Sequence, residues 1–202
     1  MRKILVLVLL VSSGLAMAQK MKFEKGDLKF FSGQKEVNVE FVYSNLKLMK
    51  ENLSESDYVA KRVIELNEKL KGNGDIWKKK WNNAKELIWQ PKFLELMNVI
   101  FVKAKKDVSF QEGLKSAKYT IIVDAVWVYP GWDAAIMKQP AKVTTVLRVV
   151  ETANRNNVLA EISSEEAPGD QWGNNFSNES RIGEGFAKTA KTFAKMILKE
   201  AF

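Results

Sequence analysis

From Tyr119 to Ser164 the apolar residues recur mostly with a period of two, and no other feature limits the fold of this chain as much. Tyr119, Ile121, Val123, Ala125, Trp127 and Tyr129 alternate onto one side of a strand, and Thr120, Ile122, Asp124, Val126 and Val128 onto the other. Residues 142–151 repeat the pattern, with Val143, Leu147 and Val149 on the more apolar side. Asn154, Arg155, Asn156 and Asn157 make a polar turn into a third run, 158–164. Three such runs in close succession predict an antiparallel meander with one face that needs cover.

The rest of the chain supplies the cover. Ser54 followed by Asp57 resembles a capping box, and Val59, Val63, Leu66 and Leu70 then form one helical stripe. Gly72, Asn73 and Gly74 end it. Asp75 caps a second helix with the stripe Trp77, Trp81, Ala84 and Ile88, and Pro91 suits the first turn of a third, which carries Phe93, Met97 and Ile100. Ile182, Phe186, Ala190, Phe193 and Ile197 form a final stripe running to the C-terminus, with Ser177 or Asn178 as its cap. Upstream, residues 28–31 and 37–42 read as short strands around the turn Ser32-Gly33-Gln34, and residues 20–26 as a loose segment. The expectation is one α+β domain over residues 19–202. Its antiparallel sheet, the meander plus the short N-terminal strands, packs on helices, the longest of them C-terminal.

Residues 1–18 read as an address. Arg2 and Lys3 precede the unbroken hydrocarbon of residues 4–11, and Ala16-Met17-Ala18 fits a small-x-small cleavage site, so the mature chain is expected to begin at Gln19. The apolar stretch is shorter than the ~20 residues a spanning helix needs. No transmembrane span is expected after cleavage, and the location is periplasmic, outer-membrane associated or secreted. With no cysteine anywhere, neither a lipid anchor on an N-terminal cysteine nor a disulfide is available, and apolar burial must hold the fold.

Missing residue types narrow the chemistry. Without His or Cys there is no Ser-His or Cys-His nucleophile pair and no zinc site of the usual kind. No metal and no cofactor is expected. The 32 Lys and Arg against 24 Asp and Glu give a net charge of +8, but the excess is lysine dispersed along helical faces. Arginine, the preferred reader of bases and phosphates, is sparse, so nucleic acid is not an expected partner.

Several residues stand out as candidates. Asp124 and Arg148, mid-strand charges, are placed to form a cross-strand ion pair. Glu161, Glu165 and Glu166 are acidic residues at the exit of the third strand. Asn52, Asn175 and Asn178 begin glycosylation-type triplets that double as helix-start sequences. Two Pro-Gly turns leave the first and third strands, Pro130-Gly131-Trp132-Asp133 and Pro168-Gly169-Asp170-Gln171-Trp172. In a meander these strands run the same way, so both turns lie at one end of the sheet. Alternation puts Trp127 and Tyr129 in the core. Trp132 and Trp172 either present their rings to a ligand beside Asp133 and Asp170 or cap the end of the core.

Residues 118–123, the Pro-Gly-Trp-Asp turn, Gln139-Pro140-Ala141, Ala167-Pro168-Gly169 and the last helix with Ala187, Lys188 and Lys191 together resemble a family of uncharacterised exported proteins of Gram-negative bacteria. The likeness covers the chain from Lys118 onward. In the order of helices, meander and final helix the chain is distantly similar to envelope domains of the curli-secretion-channel and penicillin-binding-protein-activator type. The resemblance implies a fold and an envelope location, and no reaction or catalytic residue. The residues and the resemblance together lead to a non-catalytic envelope protein that binds a protein partner or a glycan through Trp132, Asp133, Asp170 and Trp172. The alternative is a carboxylate-dependent hydrolase built on Glu165, Glu166 and Asp170.

Overall fold

Extended runs rich in β-branched residues pair where their alternating faces match, and helical stripes then close over the more apolar face. The computed structural model describes residues 19–134, 137–169 and 177–202. Residues 1–18, with the expected cleavage site, lie outside them. In chain order the elements are β1 (Lys20–Gly26), β2 (Glu36–Val42), β3 (Lys47–Leu48), β4 (Leu53–Ser54), α1 (Glu55–Lys69), α2 (Asn73–Ala84), α3 (Gln90–Lys103), β5 (Ser109–Gln111), β6 (Tyr119–Tyr129), β7 (Trp132–Asp133), β8 (Lys138–Gln139), β9 (Ala141–Glu151), β10 (Asn154–Gly169) and α4 (Asn178–Ala201).

The meander forms as expected. β6, β9 and β10 pair antiparallel within a sheet ordered β1-β10-β9-β6-β2-β5. β2 lies parallel to both β6 and β5, so the α+β sheet is mostly antiparallel but mixed. Ile182, Phe186, Ala190, Phe193 and Ile197 of α4 are fully buried and share one core with Ile121, Val123, Val128, Val143, Leu147, Val149 and Ile162 of the sheet. Burying each large apolar side chain of this kind contributes roughly 1.5–3 kcal/mol. Ser54 caps α1 by accepting from Asp57 N at 3.1 Å, and Ser177 caps α4 by accepting from Ser180 N at 3.2 Å.

Four local readings are corrected. Residues 20–26 are not loose: they form β1, which pairs antiparallel with β10. Met21 and Phe23 pack against the core while Lys20, Lys22 and Lys25 keep this edge strand charged. Residues 28–31 are not a strand; a 3₁₀ turn over Lys29–Phe31 buries Leu28 and Phe31 at a spacing of three. Asp75 lies in the first turn of α2 but does not cap it. The cap is Gly72 at φ 90°, and Asn67 Oδ1 accepts from Gly72 N and Gly74 N. The turn between β9 and β10 is Thr152-Ala153, because Glu151 already pairs with Asn154.

A π segment, Lys85–Trp89, carries α2 into α3. Gln90 N reaches back five residues to Lys85 O, and Pro91 follows in the first turn of α3. Proline has no N–H and its ring crowds the carbonyl four residues back, so one widened turn lets the helix continue past it. The change of phase brings Trp81 and Trp89 both into the core, ring centroids 5.4 Å apart.

Candidate functional site

The site begins with a slip in the ladder between β6 and β9. Ala125 pairs with Thr145, yet Trp127 pairs with Thr144 and Tyr129 with Lys142, so one residue of β6 is inserted at Val126. A bulge of this kind turns every later side chain to the opposite face. Val128 enters the core, fully buried, while Trp127 and Tyr129 leave it for the outer face and stand half-buried there. The expectation that these two aromatics are core is therefore wrong; strict alternation holds only as far as Ala125. Their rings lie nearly parallel, 16° apart, with centroids separated by 6.4 Å.

Both strand exits lie at one end of the sheet, because Tyr129 and Pro168 pair with the same residue, Lys142, from its two sides. Each Pro-Gly turn needs its glycine. Gly131 sits at φ 66°, and a Cβ there would meet Gln139 O at 2.4 Å. A Cβ on Gly169 would lie 1.9 Å from Arg181 O. Arg181 ties the start of α4 to both exits, since its Nε also donates to Pro130 O at 3.3 Å.

Beyond Gly131 the chain doubles back in the short β7–β8 pair, with Trp132 opposite Gln139. Trp132 is 41% exposed. Its Nε1 donates to Gln139 Oε1 at 3.2 Å, and the Tyr129 hydroxyl donates to the same oxygen at 3.4 Å. Trp127 Nε1 donates to Met49 O at 2.9 Å. All three aromatic rings are thus held in place outside the core.

Two hollows flank this row. A cleft of about 370 Å³ opens between α1, the start of α4 and the first exit; Trp132 and Asp133 line it with Tyr58, Arg62, Tyr129 and Arg181. Burial pulls the Arg181 guanidinium below its ordinary pKa, against the opposing charges of Asp133 and Glu179. Burial likewise pushes the Tyr58 hydroxyl up to about 12. Arg62 Nε is buried without a hydrogen-bond partner among the described residues, while its Nη1 bonds Glu65 at 3.0 Å. A second hollow of about 600 Å³ lies on the outer face of the sheet, lined by Lys20, Asn52, Trp127, Thr144, Glu165 and Glu166.

Trp132 and Asp133 therefore meet in one cleft, as the sequence implies, and Trp132 is not a core plug. Asp170 and Trp172 lie outside the described residues. Glu165 and Glu166 are exposed at the second hollow, where Lys142 Nζ stands 2.6 Å from Glu166 Oε2. Glu161 pairs across the ladder with Arg148. Asp124 and Arg148 form their ion pair at 2.8 Å, but diagonally, since Asp124 sits opposite Val146 and Arg148 opposite Ile122. Sequence reasoning missed Tyr58, Arg62 and Arg181. The one available signal was Arg181, an arginine in a helix whose other cations are lysines. No group of three or more Asp or Glu among the described residues is placed to hold a metal ion.

No family model matches the chain, and no curated protein matches it. Among solved structures it is similar to the PelC dodecamer from Paraburkholderia phytofirmans, with TM-score 0.38 and 9% identity over 86% of this chain and 96% of that one. A second PelC dodecamer, a variant from the same organism, has TM-score 0.38 and 8% identity over the same shares. Likeness at that level carries no argument about role.

Proposed function

We propose that this chain is a non-catalytic, exported envelope protein of the periplasm that binds a protein partner or a glycan through the sheet end bearing Trp132 and Asp133. The observation that carries the reading is Trp132. A large ring that is 41% exposed and pinned through its indole N–H gives contact area at little conformational cost. It stands at the mouth of a cleft holding cations and carboxylates, which suits a ligand with several polar groups. Dispersed surface lysine and the absence of histidine support binding over the chemistries that need an imidazole. No described helix is long and apolar enough to cross a membrane.

Two measurements test it. The N-terminal mass of natively expressed protein is expected to start at Gln19, and an intact Met1 segment contradicts export. Affinity capture from the native envelope is expected to bring down a partner with the wild type and to lose it with Trp132→Ala. Equal capture by a folded Trp132→Ala protein contradicts the assignment.

A further inference from the structure

The outer-face hollow is produced by two bulges at the same level of the sheet. On one side of Thr144 the β6–β9 ladder slips between Ala125 and Trp127. On the other side the β10–β9 ladder slips between Ser164 and Ala167, where Glu165 and Glu166 together face the single residue Thr144, one residue more than a regular ladder holds. Thr144 Oγ1 accepts from Glu166 N at 3.1 Å and closes the second bulge. One bulge delivers an indole to the outer face and the other delivers two adjacent carboxylates, with a hydroxyl between them.

Backbone strain gathers at the same place. Four described non-glycine residues have positive φ, and three of them border this region: Met49 at 65°, Asn52 at 53° and Glu166 at 48°. Met49 lines the cleft, Asn52 and Glu166 the outer hollow. Left-handed backbone is tolerated by asparagine but unfavourable for Met49 and Glu166, and strain of that kind beside a hollow is a mark of a functional surface. The Met49–Asn52 turn that carries two of them is itself fastened to β6, through Met49 N to Val128 O at 3.0 Å and Trp127 Nε1 to Met49 O.

From these observations we infer that the outer-face hollow at Thr144 is a second subsite, and that the ligand is a neutral glycan chain long enough to run from Trp132, across Tyr129, to Trp127. This inference rests on the binding role proposed for Trp132 and names the ligand class. The C–H faces of a pyranose suit aromatic rings, and its hydroxyls need donors and acceptors close together. Asn52, Thr144, Glu165, Glu166 and Lys20 supply both. Charge argues for a neutral ligand. Lys61, Arg62 and Arg181 are balanced in the cleft by Glu51, Glu65 and Asp133, so neither a polyanion nor a polycation is favoured. Topology argues against an extended peptide. Thr144 at the centre of the hollow lies on β9, which is paired on both sides, and on this side the free edge of the sheet is β1, beyond Lys20, so strand addition would not lay a peptide along the aromatic row.

The test uses the ¹⁵N-labelled protein titrated with β-1,4-linked glucose and N-acetylglucosamine oligomers of two, four and six units. The expected result is movement of the Trp127 and Trp132 indole N–H signals together, with affinity rising about tenfold from the shortest to the longest oligomer, as one added stacking subsite would give. Trp127→Ala is expected to remove that gain while leaving disaccharide binding at Trp132 unchanged. Trp127→Phe, which keeps a ring should the alanine variant unfold, is expected to retain most of it. Movement of Trp132 alone without length dependence overturns the second subsite and leaves the binding role intact. Absence of any shift at millimolar oligomer, with a protein still captured through Trp132, overturns the glycan and retains a protein partner. Absence of both overturns this inference and the proposed function together.

Discussion

Trp127 stands opposite Thr144, the place that an unbroken ladder from Ala125 and Thr145 would give to Val126. That displacement by one residue moves Trp127 and Tyr129 out of the core and lines them up with the exposed Trp132.

Removing Val126 tests the bulge. If Val126 is the inserted residue, its deletion leaves Trp127, Val128 and Tyr129 on their present faces and regularises the strand. The expected cost is about 1–2 kcal/mol in a denaturant melt, an ordinary local change. An uninterrupted strand, with Trp127 in the core and Val128 outside, would respond differently, because deletion would turn Trp127 outward and Val128 inward. Loss of folding, or passage of Trp127 from core to surface on deletion, therefore contradicts the register described here.

The diagonal pair of Asp124 and Arg148 gives a second prediction. Asp124 has a side chain only 4% exposed, Arg148 is 31% exposed, and Asp124 Oδ1 already lacks a partner among the described residues. Arg148→Ala strands the carboxylate and is expected to cost about 3 kcal/mol, the low end for a broken buried pair. Asp124→Val combined with Arg148→Val is expected to recover most of that loss, since paired apolar replacement removes the desolvation cost as well. Denaturant melts of the two variants decide it, and equal losses would show that the stranded carboxylate is not the source of the loss.

Core and surface aromatics are expected to separate cleanly. Phe193 is fully buried beneath the sheet, and Phe193→Ala should cost about 3–5 kcal/mol. Trp132→Ala should cost less than about 1 kcal/mol, because the ring is 41% exposed and lies outside the core cluster. The reverse order in urea or guanidinium melts would mean that Trp132 caps the core.

A small acid-dependent contribution is expected from Glu40, whose carboxyl is held below its ordinary value of 4.5 by hydrogen bonds from Arg155. Lowering a carboxylate's folded pKa gives stability that is present above the unfolded pKa and lost as pH falls through the folded one. Glu40 and Arg155 remain 39% and 46% exposed, so solvent screening keeps the effect under about 1 kcal/mol. Comparing wild type with Arg155→Ala at pH 7 and pH 3 should show a difference at the higher pH that shrinks at the lower. A difference that grows on acidification contradicts the assignment.

The meander, the α4 stripe and the Ser54 and Ser177 caps were legible because each depends on local pattern: period two, period near four, or a side chain three residues from an N–H. The shared end of the two Pro-Gly exits followed from strand direction alone. The bulges were not legible. A single inserted residue in β6 leaves the composition unchanged, and Val126 fits either face, so the alternation reads as unbroken through Trp127 although the ladder has slipped. β1 was missed because five of its seven residues are lysine, glutamate or glycine, and only pairing with β10 identifies it as an edge strand. Arg62 and Arg181 became cleft residues through the packing of α1 beside the start of α4, a contact that no local pattern encodes.

The most direct test of the central claim, that the sheet end with Trp132 is a binding surface, is oxidative footprinting of tryptophan in the purified protein and in the cells that express it. The account predicts that Trp132 is modified in the purified protein and protected in the cell, while Trp81 and Trp89, both fully buried, stay unmodified in both. Equal modification of Trp132 in the two settings, in folded protein, would contradict it.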